Sequence, residues 1–157
     1  MTDTEITAYL SSHPTFAKLS AQQRESLTAH ARTEAFNQGE NIVSQGQVAD
    51  RFFILRSGRV TLEIPALAGP ALEVQQLDPD QVLGWSWLIP PYEWVFNAKA
   101  EQDCTLLGFD GTTLLKECEQ DSELGFALMK IFAGLMSERL TVSRISMMEN
   151  FFPAGWA

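Results

Sequence analysis

Three turn-forming glycines divide residues 36–60 into short apolar segments, and this stretch decides the fold: FNQGENIVSQGQVADRFFILRSGRV. Gly39, Gly46 and Gly58 each follow a polar residue, and glycine tolerates the positive φ that tight turns often require. Between the second and third glycines, the apolar run FFIL at residues 52–55 is typical of a covered strand. The stretch therefore predicts short strands joined by tight turns.

The same period of two continues on the C-terminal side as far as Phe109. Apolar residues alternate with others over residues 60–64, 72–76 and 94–101, and residues 104–109 form a further apolar segment. Turn signals with Gly or Pro separate these segments, and no helical pattern interrupts them. Many short strands without interleaved helices predict an antiparallel jelly-roll β-barrel, or double-stranded β-helix, over residues 32–109.

Helical patterns flank this barrel on both sides. Residues 1–31 contain two short amphipathic segments, the second capped by Ser20 and running to about Ala31. Asp110 is a favourable N-cap for a further helix, which precedes a long one that we predict over residues 122–149. We therefore predict a single domain. It consists of N-terminal helices at 1–31, the barrel at 32–109, C-terminal helices at 110–149 and an apolar tail at 150–157.

The long helix carries two apolar stripes. The first consists of Leu124, Leu128, Ile131, Leu135, Val142 and Ile145, and the second of Met129, Phe132, Met136 and Leu140. The stripes are roughly 140° apart at about 100° per residue, so one barrel face cannot bury both. We expect a second copy of the chain to cover the first stripe, giving a homodimer through residues 122–149. The alternative is that the aromatic tail folds back over this stripe within one chain.

Composition argues against several classes of function. The net charge of −9 and the pI of about 4.6 disfavour a protein that mainly grips nucleic-acid phosphates. The longest apolar run, near residues 124–136, is interrupted by Lys130 and is too short to cross a membrane. Because no signal peptide is visible, we expect a cytoplasmic protein in which Cys104 and Cys118 are free thiols.

Metal chemistry and catalysis lack the residue clusters that they need. The two histidines, His13 and His30, stand apart and form no H-x-H pattern of the kind typical of metal sites. No nucleophile–base pairing and no Gly-rich nucleotide loop is visible. We therefore expect no enzyme, including one on a cupin-like barrel, and neither a metal nor another cofactor.

The segment Leu83–Phe96 is the candidate binding site because it combines aromatic residues with loop-forming ones. It contains three of the four tryptophans, an early glycine and a Pro-Pro pair. Large aromatic side chains line pockets as well as cores, and as pocket walls they favour a planar or apolar small molecule. The candidate ligand-binding residues are Gly84, Trp85, Ser86, Trp87, Leu88, Tyr92, Trp94, Val95 and Phe96.

The glycine spacing of residues 36–60 resembles the first half of a cyclic-nucleotide-binding domain. The matching pattern is Phe36-x-x-Gly39-Glu40-x-Ile42-x-x-Gln45-Gly46-x-x-Ala49-Asp50-x-x-Phe53-Ile54-Leu55-x-x-Gly58-x-Val60. Such domains are the sensors of bacterial catabolite-activator-like regulators, protein kinase A regulatory subunits and gated channels. The resemblance implies a helix–barrel–helix order, a regulatory ligand-sensing role, dimerisation through the long helix, and movement of that helix as the output.

The sequence departs from the family at the phosphate-binding cassette, which should follow this stretch. Gly84 and Leu88 match its opening, but Trp85 stands where the family has the Glu that holds the ribose hydroxyl. Trp94 and Val95 stand where the family has the Arg that pairs with the cyclic phosphate and the Ser or Thr that assists it. A buried anion needs charge-assisted partners. We therefore expect cAMP and cGMP to bind weakly or not at all.

Two functions remain open at this point. The first is a regulatory, ligand-sensing module with a degenerate cassette and an altered ligand. The alternative is a non-sensing dimeric protein-interaction module whose pocket is filled by its own Trp85 and Trp94. Regulators of this family carry a helix-turn-helix domain after the long helix, whereas this sequence ends shortly after it, so we expect no direct DNA binding.

Overall fold

Two four-stranded antiparallel sheets face each other in the computed structural model, with helices before and after them. The structure describes residues 1–151, and the side chains of residues 1–149. The first sheet has the strand order Ala31–Phe36, Cys104–Asp110, Arg51–Ser57 and Val82–Leu83. The second has the order Asn41–Val43, Asn97–Ala100, Val60–Ile64 and Leu72–Leu77, and every strand pairing described is antiparallel. The predicted fold class, mainly β with flanking helices, is thereby confirmed. The side chains of the predicted apolar tail, residues 150–157, lie outside the described part.

The elements follow one another in a helix–barrel–helix order. The N-terminal helices are α1 (Asp3–Ser12) and α2 (Ala21–Thr28), with a short 3-10 turn at Phe16–Lys18 between them. The strands are β1 (Ala31–Phe36), β2 (Asn41–Val43), β3 (Arg51–Ser57), β4 (Val60–Ile64), β5 (Leu72–Leu77), β6 (Val82–Leu83), β7 (Asn97–Ala100) and β8 (Cys104–Asp110). The C-terminal helices are α3 (Gly111–Gln120) and α4 (Ser122–Phe151).

The caps that the sequence predicts are present, but one helix ends earlier than expected. Ser20 caps α2 and Asp110 caps α3, each accepting a hydrogen bond from the backbone N–H three residues later. We predicted that α2 would run to about Ala31, whereas it ends at Thr28. The reason is tertiary: Ala31 already pairs with Phe109 in the sheet, and strand pairing prevails over weak helix propensity.

Strand β3 separates two apolar cores, which explains its unbroken apolar run. Phe52 and Ile54 face the helix-side core, between this sheet and the helices, whereas Phe53 and Leu55 face the barrel core, between the sheets. All four side chains are at most 2% exposed. A strand covered on both faces needs apolar residues at every position rather than at every second one.

The proximal half of α4 packs on its own chain, which corrects our assignment of the two stripes. Leu124, Leu128 and Ile131, which we assigned to a partner, are buried in the helix-side core, and Leu135 packs against it. They lie on one side of the helix because they recur at spacings of three and four residues. Phe132 of the second stripe is also buried there, so a single barrel-facing stripe takes residues from both predicted stripes.

The distal half of α4 extends beyond these contacts. Five of its apolar side chains are about half exposed: Leu140, Val142, Ile145, Met147 and Met148. The helix has 30 residues, which corresponds to about 45 Å at ~1.5 Å per residue. No helix in the described part of the chain is both long and apolar enough to cross a membrane.

Candidate functional site

Gly84 follows the short strand β6 and has a backbone conformation that requires glycine. Its φ is +101°, in a region that other residues rarely adopt. A Cβ atom at this position would lie 2.6 Å from Cη2 and 2.7 Å from Cζ3 of Trp94. The edge of the Trp94 indole therefore lies directly over the Gly84 backbone, in the space that a side chain at this position would occupy.

Trp94 is held in this place by two hydrogen bonds of its own backbone. Its N–H donates to the Gln47 carbonyl at 2.9 Å, and its carbonyl accepts from the Gly46 N–H at 2.8 Å. The side chain is only 4% exposed and belongs to the barrel core. Phe96, which is 6% exposed, packs beside it with a ring-centre distance of 6.2 Å. Two of the candidate residues thus form part of the barrel core.

Trp85 directly follows Gly84 and connects this turn to α4. Its ring is half-buried, packs edge-on against Phe96 at a centre distance of 6.1 Å, and touches both cores. On α4, the Arg139 guanidinium carbon lies 4.8 Å from the Trp85 ring centre, and Nη2 donates to the carbonyl of Val82 in β6. Burial lowers the pKa of Arg139 to about 10. Sequence reasoning missed Arg139, although its spacing of four residues from Leu135 places it on the barrel-facing side of the helix.

Trp87 and Leu88 lie in the other core, apart from Trp94. Trp87 is 1% exposed, stacks on Phe52 at 5.2 Å and meets Phe132 of α4 edge-on at the same distance. One backbone turn separates them from Trp85, whose carbonyl accepts from the Leu88 N–H at 3.0 Å. The predicted aromatic site is therefore divided in two: Gly84, Trp85, Trp94 and Phe96 lie together, and Trp87 and Leu88 pack beneath the helices.

The remaining candidate residues contribute backbone or surface. Tyr92 has a positive φ of 56°, and its carbonyl accepts from the Ala49 N–H at 2.7 Å. Val95 is 52% exposed, because alternation along the chain turns it away from its buried neighbours. Ser86 is buried at 7% exposure. These three do not form a common wall with Trp94.

Five cavities lie around α4 and on the barrel surface, and Gly84 lines none of these five. Two lie between α4 and the segment that contains residues 13–19, and another opens at the start of β1. A fourth lies on the sheet that contains β2, and a fifth, of about 510 Å³, lies between Trp85 and α4. Among the candidate residues, Trp85 is the one that lines a cavity of this set.

Polar side chains elsewhere tie elements together. The Tyr9 hydroxyl donates to Asp80 at 2.5 Å, and the His13 Nε2 lies 2.7 Å from the Asp80 carbonyl oxygen, joining α1 to the turn before β6. Burial and the Asp80 hydrogen bond raise the pKa of Tyr9 to about 12. Within the described residues, no group of three or more His, Cys, Asp or Glu side chains is arranged to hold a metal ion.

Comparison with known proteins identifies the family. The sequence matches the cyclic nucleotide-binding domain family over residues 33–121, which is more than half of the chain. The chain belongs to this family. The match begins within β1 and covers the rest of the barrel, the turn at Gly84 and α3. No curated protein matches the sequence.

Solved structures share this fold across bacterial and protozoan proteins. A cyclic nucleotide-binding domain from Methylobacillus flagellatus KT superposes with a TM-score of 0.78 at 13% identity, over 94% of this chain and 83% of that one. The N-terminal domain of a transcriptional regulator from Streptomyces coelicolor A3(2) gives 0.66 at 23% identity, over 93% and 98%. The regulatory domain of Toxoplasma gondii PKA, solved with cAMP, gives 0.72 at 22% identity, over 87% and 50%. At these identities the likeness shows the fold alone.

Proposed function

We propose that this chain is a regulatory module of the cyclic nucleotide-binding fold that does not bind cAMP or cGMP through the family's phosphate cassette. The observation that carries this proposal is the Trp94 indole lying over Gly84. In the family that the sequence resembles, this region receives the cyclic phosphate, and Trp94 aligns with the arginine that pairs with it. Here the Trp94 ring stands where the family has a cation, and it occupies the space beside Gly84 where the phosphate would lie.

Displacing Trp94 to admit a phosphate would be costly. The ring is 4% exposed in the barrel core, and removing a buried Trp side chain from a core typically costs about 3–5 kcal/mol. The position holds no arginine whose pairing with the phosphate could offset this cost. A desolvated anion without charge-assisted partners is itself unfavourable. Both terms oppose binding of a cyclic nucleotide in the usual manner.

Thermal unfolding tests this proposal. A ligand that binds only the folded protein raises the melting temperature, and the rise grows with the logarithm of ligand concentration once this exceeds the dissociation constant. We expect cAMP and cGMP at millimolar concentration to leave the melting temperature unchanged, as AMP would, because the last lacks the cyclic phosphate. A rise with cAMP but not with AMP, corresponding to a dissociation constant in the micromolar range, contradicts the proposal.

A second candidate is a dimeric interaction module that senses no small molecule. The observation that favours it is the burial of Trp94 and Phe96 in the barrel core, which fills the region where a ligand would lie. In both functions the Trp94 ring covers Gly84 and keeps a cyclic nucleotide out. They differ in whether a small molecule binds in a different cavity. A ligand bound in such a cavity would decide in favour of sensing.

We also propose that α4 pairs with a second copy of the chain through its exposed side. Six residues of α4 follow a strict 4-3-4-3-4 spacing: Met129, Ala133, Met136, Leu140, Ser143 and Met147. This is the spacing of a coiled-coil seam. Met129, Leu140 and Met147 are about half exposed, whereas the barrel-facing stripe is already covered. The seam therefore replaces the stripe that we first assigned to the partner.

Light scattering of two matched variants tests the seam. Leu140→Glu places a charge opposite its own copy, so we expect the dimer to dissociate to the 17.5 kDa monomer at micromolar concentration. Thr141→Glu adds the same charge on a neighbouring exposed position outside the seam and should leave the mass unchanged. A wild-type chain that is itself monomeric, or a Leu140→Glu variant that stays dimeric, contradicts this assignment.

We further propose that the protein does not bind duplex DNA directly. A net charge of −9 repels the phosphate backbone, and neutralised phosphates supply most of the affinity in such complexes. A mobility-shift titration at physiological salt should show no retarded band, and a salt-dependent shift at sub-micromolar protein would refute this point.

A further inference from the structure

We propose that the cavity between α4 and the 3-10 turn at Phe16–Lys18 binds a single acyl chain with a carboxylate head. The inference goes beyond the proposed function, because no residue that lines this cavity belongs to the segment Leu83–Phe96. The cavity volume is about 370 Å³, within the range of ligand pockets of about 300–1,000 Å³. Its wall, its floor and its charges each favour such a ligand.

The wall contains Gly134, a glycine in the middle of α4 that packing within the chain does not require. Glycine is among the least favourable residues in a helix interior. The other glycine of α4, Gly125, has a clear reason, because a Cβ there would lie 2.9 Å from the Cys118 carbonyl oxygen. A Cβ at Gly134 would meet nothing within 4 Å. The effect of Gly134 is to leave the cavity that it lines wider than any other residue would.

The missing side chain interrupts a row along α4 and so opens a groove. Lys130, Gly134 and Glu138 follow one another at spacings of four residues, which places them along one side of the helix. The groove therefore passes between two long side chains. Leu19 and Ile131, which are 4% and 9% exposed, belong to its apolar lining. An apolar groove of this kind suits an unbranched hydrocarbon chain.

The charges of the lining favour a monoanion. Two ammonium groups, of Lys18 and Lys130, face one carboxylate, that of Glu138. Within residues 1–149, neither lysine has a carboxylate closer than 4.0 Å. The Lys130 Nζ lies 4.9 Å from the ring centre of Phe126, which holds the ammonium by a cation–π contact. Glu138 follows eight residues later, about 12 Å along the helix axis. We therefore place the head at Lys130 and the chain along Gly134.

This cavity and the proposed seam lie on opposite sides of α4. At about 100° per residue, the α4 residues that line the cavity are centred roughly 170° around the helix from the seam. None of them belongs to the seam. A second copy that pairs along the seam would therefore not occupy the cavity with its own α4.

Methyl NMR signals of the full chain provide the test, with Leu19, Ile131 and Leu135 as reporters. The probe is octanoate at about 10 mM, a concentration that mostly fills even a millimolar site. Three controls are matched to it: octanamide and octylammonium carry a neutral and a cationic head on the same chain, and butanoate carries the same head on a shorter chain.

We expect octanoate to shift the reporter signals and each control to bind more weakly. Octanamide should bind at least about threefold more weakly, since two exposed ion pairs contribute modestly, and octylammonium more weakly still. Butanoate should bind at least about tenfold more weakly, because it buries four fewer methylene groups.

Two substitutions at Gly134 separate the groove from the stability of the helix. Gly134→Ala meets no atom and favours the helix, so it should raise the melting temperature and keep octanoate affinity within about threefold. Gly134→Leu is also a good helix former but fills the groove, and should weaken octanoate at least about tenfold. The double variant Lys18→Gln, Lys130→Gln should bind octanoate and octanamide equally.

The proposal is overturned if octanoate shifts none of the reporters, or if any of the three controls binds as tightly as octanoate. It is equally overturned if Gly134→Leu binds octanoate as tightly as Gly134→Ala, or if the double lysine variant keeps the preference for octanoate over octanamide. None of these results bears on Trp94. Conversely, cAMP-induced shifts at Gly84 would refute the proposed function and leave this site untouched, so the two failures are distinguishable.

Discussion

Gly39 and Gly84 both have a positive backbone φ but entirely different surroundings. Their φ angles are +90° and +101°. A Cβ at Gly39 would meet nothing within 4 Å, whereas a Cβ at Gly84 would collide with the Trp94 ring. The first glycine is needed only for the turn, while the second also makes room for a neighbouring side chain. The comparison shows that both corners need a glycine backbone, and that a single aromatic residue fills the space beside the second corner.

Removing the ring is the largest change that this comparison allows. Trp94→Ala empties a buried site in the barrel core, and we expect a loss of about 3–5 kcal/mol in the free energy of unfolding. Chemical denaturation measures it. Val95→Ala, at the next position but 52% exposed, is the matched control and should stay within about 0.5 kcal/mol of wild type. A small loss at Trp94 would mean that its ring does not fill the core.

Adding a methyl group at each glycine tests the difference between the two corners. At Gly39 we expect only the cost of positive φ, about 1–2 kcal/mol. At Gly84 the same substitution should cost a further ~1–3 kcal/mol, because the ring must move to make room. Denaturation of Gly39→Ala and Gly84→Ala gives both values.

A double-mutant cycle tests whether the additional cost of Gly84→Ala comes from the Trp94 ring. If the additional cost at Gly84 comes from the Trp94 ring, it should disappear when Gly84→Ala is made in a Trp94→Ala background. Equal losses at the two glycines in the wild-type background, or no coupling in the cycle, would show that the Trp94 ring does not cause an additional cost at Gly84.

The smallest effect is expected at Val95, which we predicted to stand where the family has Ser or Thr. Val95→Ser restores the hydroxyl, but Val95 is exposed and Trp94 still covers Gly84, so cAMP should remain unbound. Stability should change by less than about 0.5 kcal/mol. A calorimetric signal for cAMP with this variant would show that the missing hydroxyl, rather than the ring, keeps the nucleotide out.

The fold was predictable from the sequence because its determinants are local. The corner glycines and the covered run at residues 52–55 each specify a turn or a strand without reference to distant residues. The caps at Ser20 and Asp110 are equally local.

The arrangement of the candidate site could not be predicted in the same way. Trp85 and Trp87 differ by two residues, yet one backbone turn sends Trp87 into the helix-side core and leaves Trp85 beside Arg139. The stripes of α4 were assigned wrongly because helical spacing gives the relative directions of side chains and not which direction meets the barrel. The placement of the two tryptophans and the side of α4 that meets the barrel both depend on tertiary packing, which a short stretch of sequence does not specify.

The most direct test of the central claim is the through-space contact between Gly84 and Trp94 in solution. If the indole covers this glycine, the NMR spectrum should show a strong nuclear Overhauser effect between the Gly84 Hα protons and the Hη2 or Hζ3 proton of Trp94, and it should persist at millimolar cAMP. Absence of this contact in the free protein, or its loss when cAMP is added, would contradict the account.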